Sequence, residues 1–350
     1  MKTDKIIESM QRNNIKGFIK YSSARDEFLD PIEKITFLDA NENPFNTGLN
    51  RYPDPQQQKL KNVMAQIKGV RSSQILFGNG SDEVLDLLFR AFCEPKEDNV
   101  ITLPPTYGMY KVLAQLNAVE TREVVLLQGF QPDVDTILDK TDKNSKLLFL
   151  CSPNNPTGNI FSEESVIRLL EEFPGIVVID EAYIDFSSKK GWLNRLNDYP
   201  KLVVTQTLSK AYGLAGIRLG ICYASETIIA ILNKIKPPYN VNTLTQEAAL
   251  KQLQNNSDIK IEICRIVEEK DKLSKELLQV DFVVNVFPSE ANFILIKVDD
   301  ATYRYEQLLK AGIVVRNRSS QPLCENCLRI TVGTKSENEK LIKALKILKR

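Results

Sequence analysis

Apolar and polar residues alternate along the chain in two different ways. Between about residues 60 and 245, short apolar runs are separated by segments with helical periodicity. The runs are nearly continuous in Val, Ile and Leu, which is typical of strands buried on both faces of a parallel sheet. They lie at 99–103, 146–151, 176–180, 202–205 and 217–222. The pattern predicts an α/β fold with a large, doubly wound, mainly parallel sheet.

The last hundred residues have a different pattern. A long, charged amphipathic helix is predicted over 257–279, and short strands are predicted after it. The strands are expected at 282–286, 292–298, 312–316 and 328–332, before a final helix at 336–348. Strands that follow one another, with helices to one side, favour a smaller α+β domain.

Between the predicted strands of the large sheet, helices are predicted at 81–92 and 162–173, each with its first serine as N-cap.

These patterns divide the 350 residues into three parts. Residues 1–45 are predicted to form an N-terminal arm and part of the small domain. Residues 46–250 are predicted to form the large ligand-binding domain, and residues 251–350 the C-terminal small domain.

Charge and hydropathy exclude several classes of protein. Lys and Arg total 46 against 45 Asp and Glu, so the net charge is +1 and no basic surface for nucleic acid is expected. No apolar run approaches the ~20 residues needed to cross a bilayer. The first 20 residues carry scattered charges and lack the apolar core of a signal peptide. We expect a cytoplasmic protein that binds neither nucleic acid nor membranes.

The chain contains no histidine. Serine and cysteine nucleophiles activated by histidine, and imidazole metal ligands, are therefore excluded. A general base must be Lys, Asp, Glu, Tyr or Cys. Cys324 and Cys327 have the spacing of metal ligands, but no second pair accompanies them. We expect them to be two unrelated thiols in a surface loop, and we predict no metal site.

Four motifs carry candidate chemistry, and the first is GNGSDE at 78–83. Its two glycines precede a predicted helix, whose first N–H groups could bind a phosphate. It is neither a dinucleotide fingerprint nor a Walker A loop, because Glu83 replaces the third glycine and no Lys-Ser/Thr follows. Taken alone, it is also compatible with an ordinary helix cap.

The other three motifs each follow a predicted strand. They are SPNNPTG at 152–158, DEAY at 180–183 and SKAYGLAGIRLG at 209–220. A rigid loop would hold an Asn amide, and a buried Asp would need a cationic partner. A Lys followed by an Arg could clamp a phosphate or form an imine. A simple turn, a structural ion pair and a surface lysine are the respective alternatives.

Together the four motifs supply what pyridoxal phosphate requires. The cofactor has a phosphate, a 3′-oxygen, a ring nitrogen and an aldehyde, and each needs one partner. Ligands of open α/β sheets bind at the carboxyl ends of the strands, where these motifs are predicted to lie.

The order and spacing of the motifs resemble the fold-type I pyridoxal-phosphate aminotransferases, and more closely the histidinol-phosphate aminotransferase family. The resemblance extends from DANENP at 39–44 and RYPDP at 51–55 to CLRITVG at 327–333, which is nearly the whole chain. It implies that Lys210 forms the internal aldimine and acts as the base. Asp180 would pair with the ring nitrogen, and Asn155 and Tyr183 would bind the 3′-oxygen.

The resemblance also implies the remaining contacts. Tyr107 would stack on the ring, and Tyr52 would reach the cofactor phosphate from a second subunit of a homodimer. The other phosphate ligands would be Ser81, Asp82, Thr207, Ser209 and Arg218. Arg329 would also bind the substrate carboxylate, and Tyr21, Arg316 and Arg329 would hold the substrate phosphate, with Asn155 beside them at the substrate.

The activity implied is amino transfer between L-histidinol phosphate and 2-oxoglutarate, with glutamate as a product, in histidine biosynthesis. Guanidinium groups suit both the phosphate and the dicarboxylate. An aromatic amino acid aminotransferase and a phosphothreonine-type decarboxylase are the enzymatic alternatives. A regulator that borrows the fold is the non-enzymatic one, although no DNA-binding motif is evident.

Overall fold

The computed structural model describes residues 2–19, 21 and 36–348 of the chain, and within them the strands form two sheets. The strands are β1 (Ile75–Asn79), β2 (Asn99–Thr102), β3 (Glu120–Glu123), β4 (Ser145–Cys151), β5 (Ile176–Asp180), β6 (Leu202–Thr207), β7 (Leu219–Ala224), β8 (Val283–Val286), β9 (Phe293–Val298), β10 (Arg316–Asn317) and β11 (Cys327–Thr331). The α-helices are α1 (Lys2–Ser9), α2 (Asn13–Lys16), α3 (Gln58–Lys68), α4 (Ser81–Phe92), α5 (Met109–Leu116), α6 (Val134–Asp139), α7 (Glu163–Glu172), α8 (Glu226–Ile235), α9 (Thr243–Gln254), α10 (Asn256–Leu277), α11 (Ala301–Lys310) and α12 (Lys335–Ile347).

The large sheet has seven strands in the order β1-β7-β6-β5-β4-β2-β3. Strands β2 to β6 pair in parallel, whereas β7 is antiparallel to both of its neighbours. The predicted α/β class with a mainly parallel sheet is confirmed. Cys151, Asp180 and Thr205 lie opposite one another across β4, β5 and β6. The carboxyl ends of three central strands therefore meet at one edge.

Helices cover both faces of the large sheet. Along β5, Val177 and Ile179 pack in one apolar cluster, and Ile176 and Val178 pack in the other. Side chains of a strand point alternately to opposite faces, so a strand covered on both sides reads as one continuous apolar run.

The small sheet has four antiparallel strands in the order β10-β11-β9-β8. Ile294 and Ile296 of β9 pack in a core that includes residues of α10, α11 and α12. Phe293 and Leu295, on the opposite face of the same strand, belong to one of the clusters of the large sheet. Strand β9 therefore joins the two sheets through its alternating side chains.

Two predicted strands are wrong in their bounds. The predicted strand at 312–316 is reduced to β10, because Gly312 (φ +73°) ends α11 in a left-handed turn. There the N–H groups of Gly312 and Ile313 donate back to the carbonyls of α11. The predicted strand at 217–222 begins later, as β7, because Arg218 is left-handed (φ +55°). Strands β1 and β3 were not predicted.

The helix predictions are confirmed within two residues at each end, with one wrong cap. Ser162 caps α7 by accepting a hydrogen bond from Ser165 N–H. Gly80, not Ser81, is the N-cap of α4. Ser81 is instead the first residue of that helix, and the N–H of a first helical residue has no partner within the helix.

The N-terminal helices pack against the large sheet's layer of helices. Ile7 and Ile15 are buried in the same cluster as Phe92, and Thr227 Oγ1 donates to Asp4 at 2.7 Å. The predicted boundary at 250/251 falls within α9, and the domain division stays a prediction. In the described part of the chain, no helix is both long and apolar enough to span a bilayer.

Cys324 and Cys327 are not in an exposed loop, so that expectation was wrong. Both are fully buried beside the start of β11, and both are free thiols. The turn that carries them is tightened by hydrogen bonds from Cys324 N–H to Gln321 O and from Cys327 N–H to Cys324 O. No group of three or more potential metal ligands occurs among the described residues.

Candidate active site

A cavity lies at the edge where β4, β5 and β6 end. It is lined by ten of the residues predicted to surround a cofactor, namely Ser81, Asp82, Tyr107, Asn155, Asp180, Tyr183, Thr207, Ser209, Lys210 and Arg218. Cys151, Ala182 and Ala215, which were not predicted, complete the lining. Segments from all four motifs therefore meet here, together with Tyr107 from a fifth segment.

Asp180 is a buried carboxylate at the end of β5, and 3% of its surface is exposed. It accepts hydrogen bonds from Tyr110 Oη at 2.7 Å and from the N–H of Ala182 at 3.2 Å. Burial raises its pKa, while these donors lower it. Within the described residues it makes no ion pair, so the expected cationic partner is not supplied by the protein.

Asn155 and Tyr183 lie side by side across the cavity. The Asn155 amide donates to Tyr183 Oη at 3.4 Å, and the tyrosine ring packs edge-on against Phe293 at 5.0 Å. Desolvation raises the pKa of Tyr183, so its hydroxyl stays protonated and can donate a hydrogen bond. Arg329 of the small sheet donates from Nη1 to Asn155 Oδ1 and thereby contacts this pair.

Lys210 lies opposite, on the loop that follows β6. Its Nζ is 5.8 Å from the centre of the Tyr183 ring. The residue is exposed to solvent at the cavity, yet partial desolvation and the positive charges of Arg329 and Arg218 lower its pKa. A lowered pKa increases the neutral fraction of an amine, which is the nucleophilic and basic form.

The start of α4 forms a cradle with the β6–β7 loop. Gly80 has φ +83°, and a Cβ there would come within 2.6 Å of Arg218 Nη2. Only glycine therefore allows the guanidinium to lie directly against the helix N-terminus. Thr207 and Ser209 share a hydrogen bond of 2.9 Å beside it. Helix N–H groups, two hydroxyls and a guanidinium together form an anion-binding arrangement.

The residues around the cavity fit pyridoxal phosphate. A buried carboxylate without a cation suits the protonated ring nitrogen, and the cradle at Gly80 suits the phosphate. Asn155 and Tyr183 offer donors for the 3′-oxygen between them. Tyr107 donates to Asp82 at 3.1 Å, which fixes an aromatic ring at the cavity wall.

Two predicted tyrosines lie outside this cavity. Tyr52 is 52% exposed, stacks on Tyr239 at 4.6 Å and lines a separate cavity of about 430 Å³. Tyr21 is 67% exposed and lines a third cavity together with Phe18 and Pro237. Within one chain, neither residue is among those lining the Lys210 cavity.

The predicted substrate arginines lie on the small sheet. Arg316 and Arg329 face each other in the β10–β11 pair. Arg329 also lies 5.2 Å above the Phe293 ring. Arg316 is exposed and Arg329 is half-buried, so both can meet a ligand that enters from solvent.

Two further residues, which lie beside the cavity, were not predicted. Tyr110, fully buried and stacked on Phe149 at 4.7 Å, holds Asp180 from behind. Its signal in the sequence was a second tyrosine one helical turn after Tyr107. Arg318 lies beside Arg316 and Arg329, and its signal was the alternation of arginines at 316 and 318.

The chain matches a known protein family over most of its length. The family model for aminotransferase class I and II matches residues 36–345. The chain therefore belongs to the class I and II aminotransferases.

Relatives define the family more closely. Histidinol-phosphate aminotransferase of Flavobacterium johnsoniae is 64% identical over 343 residues, which are 98% of this chain and 98% of the relative. That of Parabacteroides distasonis is 51% identical over 345 residues, 99% of each chain. Within its class, the chain belongs with the histidinol-phosphate aminotransferases.

Solved structures show the same fold. Histidinol-phosphate aminotransferase from Clostridium acetobutylicum matches with a TM-score of 0.79 and 25% identity, over 85% of this chain and 90% of that one. The enzyme of that name from Sinorhizobium meliloti, in complex with pyridoxal-5′-phosphate, matches with a TM-score of 0.78 and 23% identity, over 85% and 82%.

Proposed function

We propose that this chain is a pyridoxal-phosphate-dependent aminotransferase that moves an amino group between L-histidinol phosphate and 2-oxoglutarate. The products are imidazole acetol phosphate and L-glutamate, as a step of L-histidine biosynthesis. The observation that carries the proposal is that Lys210 and Asp180 line one cavity, and that Arg329 of the small sheet contacts Asn155 in the same lining. Near-complete coverage by relatives of this name supports the choice of substrate.

Each residue has a task in this reaction. When bound, pyridoxal phosphate supplies a ring that withdraws electrons from the substrate's Cα. Asp180 keeps the proton on the ring nitrogen, because a buried carboxylate is stabilised by an adjacent cation. Lys210 would hold the cofactor through its aldehyde, and its free amine would carry the proton to and from the substrate's Cα. Asn155 and Tyr183 orient the ring through its 3′-oxygen.

Replacing Lys210 by alanine tests the mechanism. We expect kcat to fall by about 10⁴-fold or more, because the nucleophile and the base are lost together. Borohydride reduction of the wild-type holoenzyme should attach the cofactor to the peptide that contains residue 210. An exposed loop lysine, Lys143, serves as control: Lys143→Ala should keep both turnover and labelling. An active Lys210→Ala variant would refute the mechanism.

A donor screen tests the substrate. With 2-oxoglutarate as acceptor, L-histidinol phosphate should exceed L-phenylalanine and L-tyrosine in kcat/KM. Glutamate should form in step with donor loss, without release of carbon dioxide. Preference for an aromatic donor would indicate the aromatic aminotransferase, and carbon dioxide release the decarboxylase.

We further infer a homodimer in which Tyr52 binds the cofactor phosphate of the partner's site. Its support is an exposed apolar surface that includes Leu38 (90% exposed), Phe45 (78%), Leu49 (56%) and Leu244 (59%). Surfaces of this kind mark protein interfaces. The six free cysteines agree with a reducing compartment, and we place the enzyme in the cytoplasm.

Mixing two inactive variants tests the shared site. A heterodimer of Lys210→Ala and Tyr52→Ala subunits contains one site with both native residues. Activity should therefore reappear on mixing, at up to about a quarter of wild type for random pairing of equal amounts. Absence of recovery, or a monomeric active protein in sedimentation, would contradict the assignment of Tyr52.

A further inference from the structure

Three arginines share one face at the edge of the small sheet. Arg316 lies opposite Arg329, and side chains of directly opposed residues project to the same side of a sheet. Arg318 continues the pairing beyond β10, because its N–H donates to Cys327 O at 2.8 Å. Residues two apart along a strand also share a face, so Arg318 lies on the side of Arg316 and Arg329.

Among the described residues, the three guanidinium groups have no carboxylate partner. In the described part of the chain, no Asp or Glu oxygen lies within 4 Å of their nitrogens. The Nε atoms of Arg318 and Arg329 are buried and make no hydrogen bond. Desolvation and the neighbouring arginines lower the pKa of both groups. Cations held together in this way are unfavourable unless an anion binds between them.

The arginines adjoin the cavity that contains Lys210. Arg329 donates to Asn155, which lines that cavity. Tyr183, which also lines it, is close enough to both Arg318 and Arg329 for their charges to lower its pKa against the larger effect of burial. An anion among the arginines therefore belongs to a substrate whose amine is near Lys210.

From this we infer that Arg318 is a specificity-determining residue, which binds the phosphate of a phosphorylated amino donor together with Arg316 and Arg329. The inference rests on the proposed function and deepens it. A phosphate monoester carries close to two negative charges at neutral pH and three acceptor oxygens, whereas a side-chain carboxylate carries one charge and two. A third guanidinium therefore stabilises the phosphorylated donor more than L-glutamate.

The test compares donors within one variant. In Arg318→Gln, kcat/KM for L-histidinol phosphate should fall about 10- to 100-fold, mainly through KM, since a charged hydrogen bond is lost. The fall for L-glutamate should be several times smaller, and Arg318→Lys should recover part of the difference. A ratio of the two kcat/KM values that equals the wild-type ratio would overturn the inference, and a general folding defect would not change that ratio.

Inorganic phosphate provides a second measurement. Calorimetry on the holoenzyme should show binding that weakens at least about tenfold in Arg318→Gln. Arg265→Gln, which removes an exposed arginine of α10, is the charge-matched control and should bind like wild type. Equal affinity in all three proteins would overturn the role of Arg318. If wild type does not turn over L-histidinol phosphate, the proposed function fails, and phosphate binding still decides for or against Arg318.

Discussion

The two ends of the candidate site carry opposite charges, one a carboxylate and the other a group of guanidinium cations. At the end of β5, one buried carboxylate accepts hydrogen bonds but makes no ion pair with any described residue. On the β10–β11 pair, three guanidinium groups share a face and have no anion among the described residues. Each end lacks the charge that a ligand would bring. A cofactor with a cationic ring at the first end, and a substrate with an anionic group at the second, would satisfy both.

The rigidity of the two ends also differs. Asp180 ends β5, a fully buried strand between β4 and β6, with Tyr110 behind it. Arg316 and Arg318 lie at an edge strand of two residues. The first end suits a permanent cofactor, which needs one fixed geometry. The second suits substrates that must enter and leave in each half-reaction.

Among the changes that test this contrast between the two ends, the largest effect is expected at Asp180. Asp180→Asn keeps the shape of the residue but removes the negative charge that retains the ring proton. We expect kcat to fall about 100- to 1,000-fold, the size typical of losing one preorganised electrostatic contact. Steady-state kinetics at saturating cofactor checks this, with Asp198→Asn, a surface ion-pair residue, as control. Near-normal kcat in Asp180→Asn would remove the contrast between the two ends.

A smaller effect is expected from the donor behind Asp180. The Tyr110 hydroxyl lowers the pKa of Asp180, so Tyr110→Phe should raise that pKa. Because the reaction needs the ionised carboxylate, the acid limb of the pH–rate profile should move to higher pH by about one unit, the worth of one charged hydrogen bond. Tyr223, a buried tyrosine whose hydroxyl has no partner, is the matched control, and Tyr223→Phe should leave the profile unchanged. An identical profile for Tyr110→Phe would contradict this coupling.

The smallest effect on catalysis is expected at the neighbouring carboxylate. Glu181 is also buried, but it accepts from Trp192 N–H at 2.6 Å and from the Gln206 amide at 2.9 Å. It lies outside the lining of the cavity. Desolvation raises its pKa from 4.5 to about 7. Of these two adjacent buried acids, we therefore assign a structural role to Glu181 and a catalytic role to Asp180.

Replacing Glu181 by glutamine changes stability instead. A raised pKa means that the unfolded chain releases its proton first, so folding loses stability as pH rises from 4.5 to about 7. Glu181→Gln should remove that loss, which amounts to about 3 kcal/mol at most. Denaturant unfolding of the holoenzyme at pH 5 and pH 8 measures it. The difference between variant and wild type should grow with pH, and a constant difference would show that Glu181 is not the titrating group.

The end built on the large sheet was the more predictable of the two. Continuous apolar runs marked β4, β5 and β6, and parallel strand ends must meet at one edge, so Asp180 and Asn155 could be placed together from the sequence alone. Tyr110 was missed because its role depends on a contact with a residue 70 positions away. Local periodicity carries no information about such a contact.

The end built on the small sheet was less predictable. The apolar run at 312–316 has the pattern of a strand. The N–H of the left-handed Gly312 donates back to α11, however, and the strand is thereby shortened to the two residues of β10. Arg318 was missed for this reason, since its face is set by pairing with Cys327 beyond the regular strand. The role that we propose for Tyr52 depends on a second chain, which one sequence does not describe.

The side chains of β9 point alternately to two faces, and this has a practical consequence for redesign. Its two rows of side chains fasten the small sheet to the large one, whereas the outer β10 segment is held along a single side. The residues to which we assign donor preference therefore lie at the edge of the small sheet, whereas β9 connects the two sheets. Substitutions at a few positions on the β10 edge should therefore change donor selectivity without disturbing the contact between the two sheets.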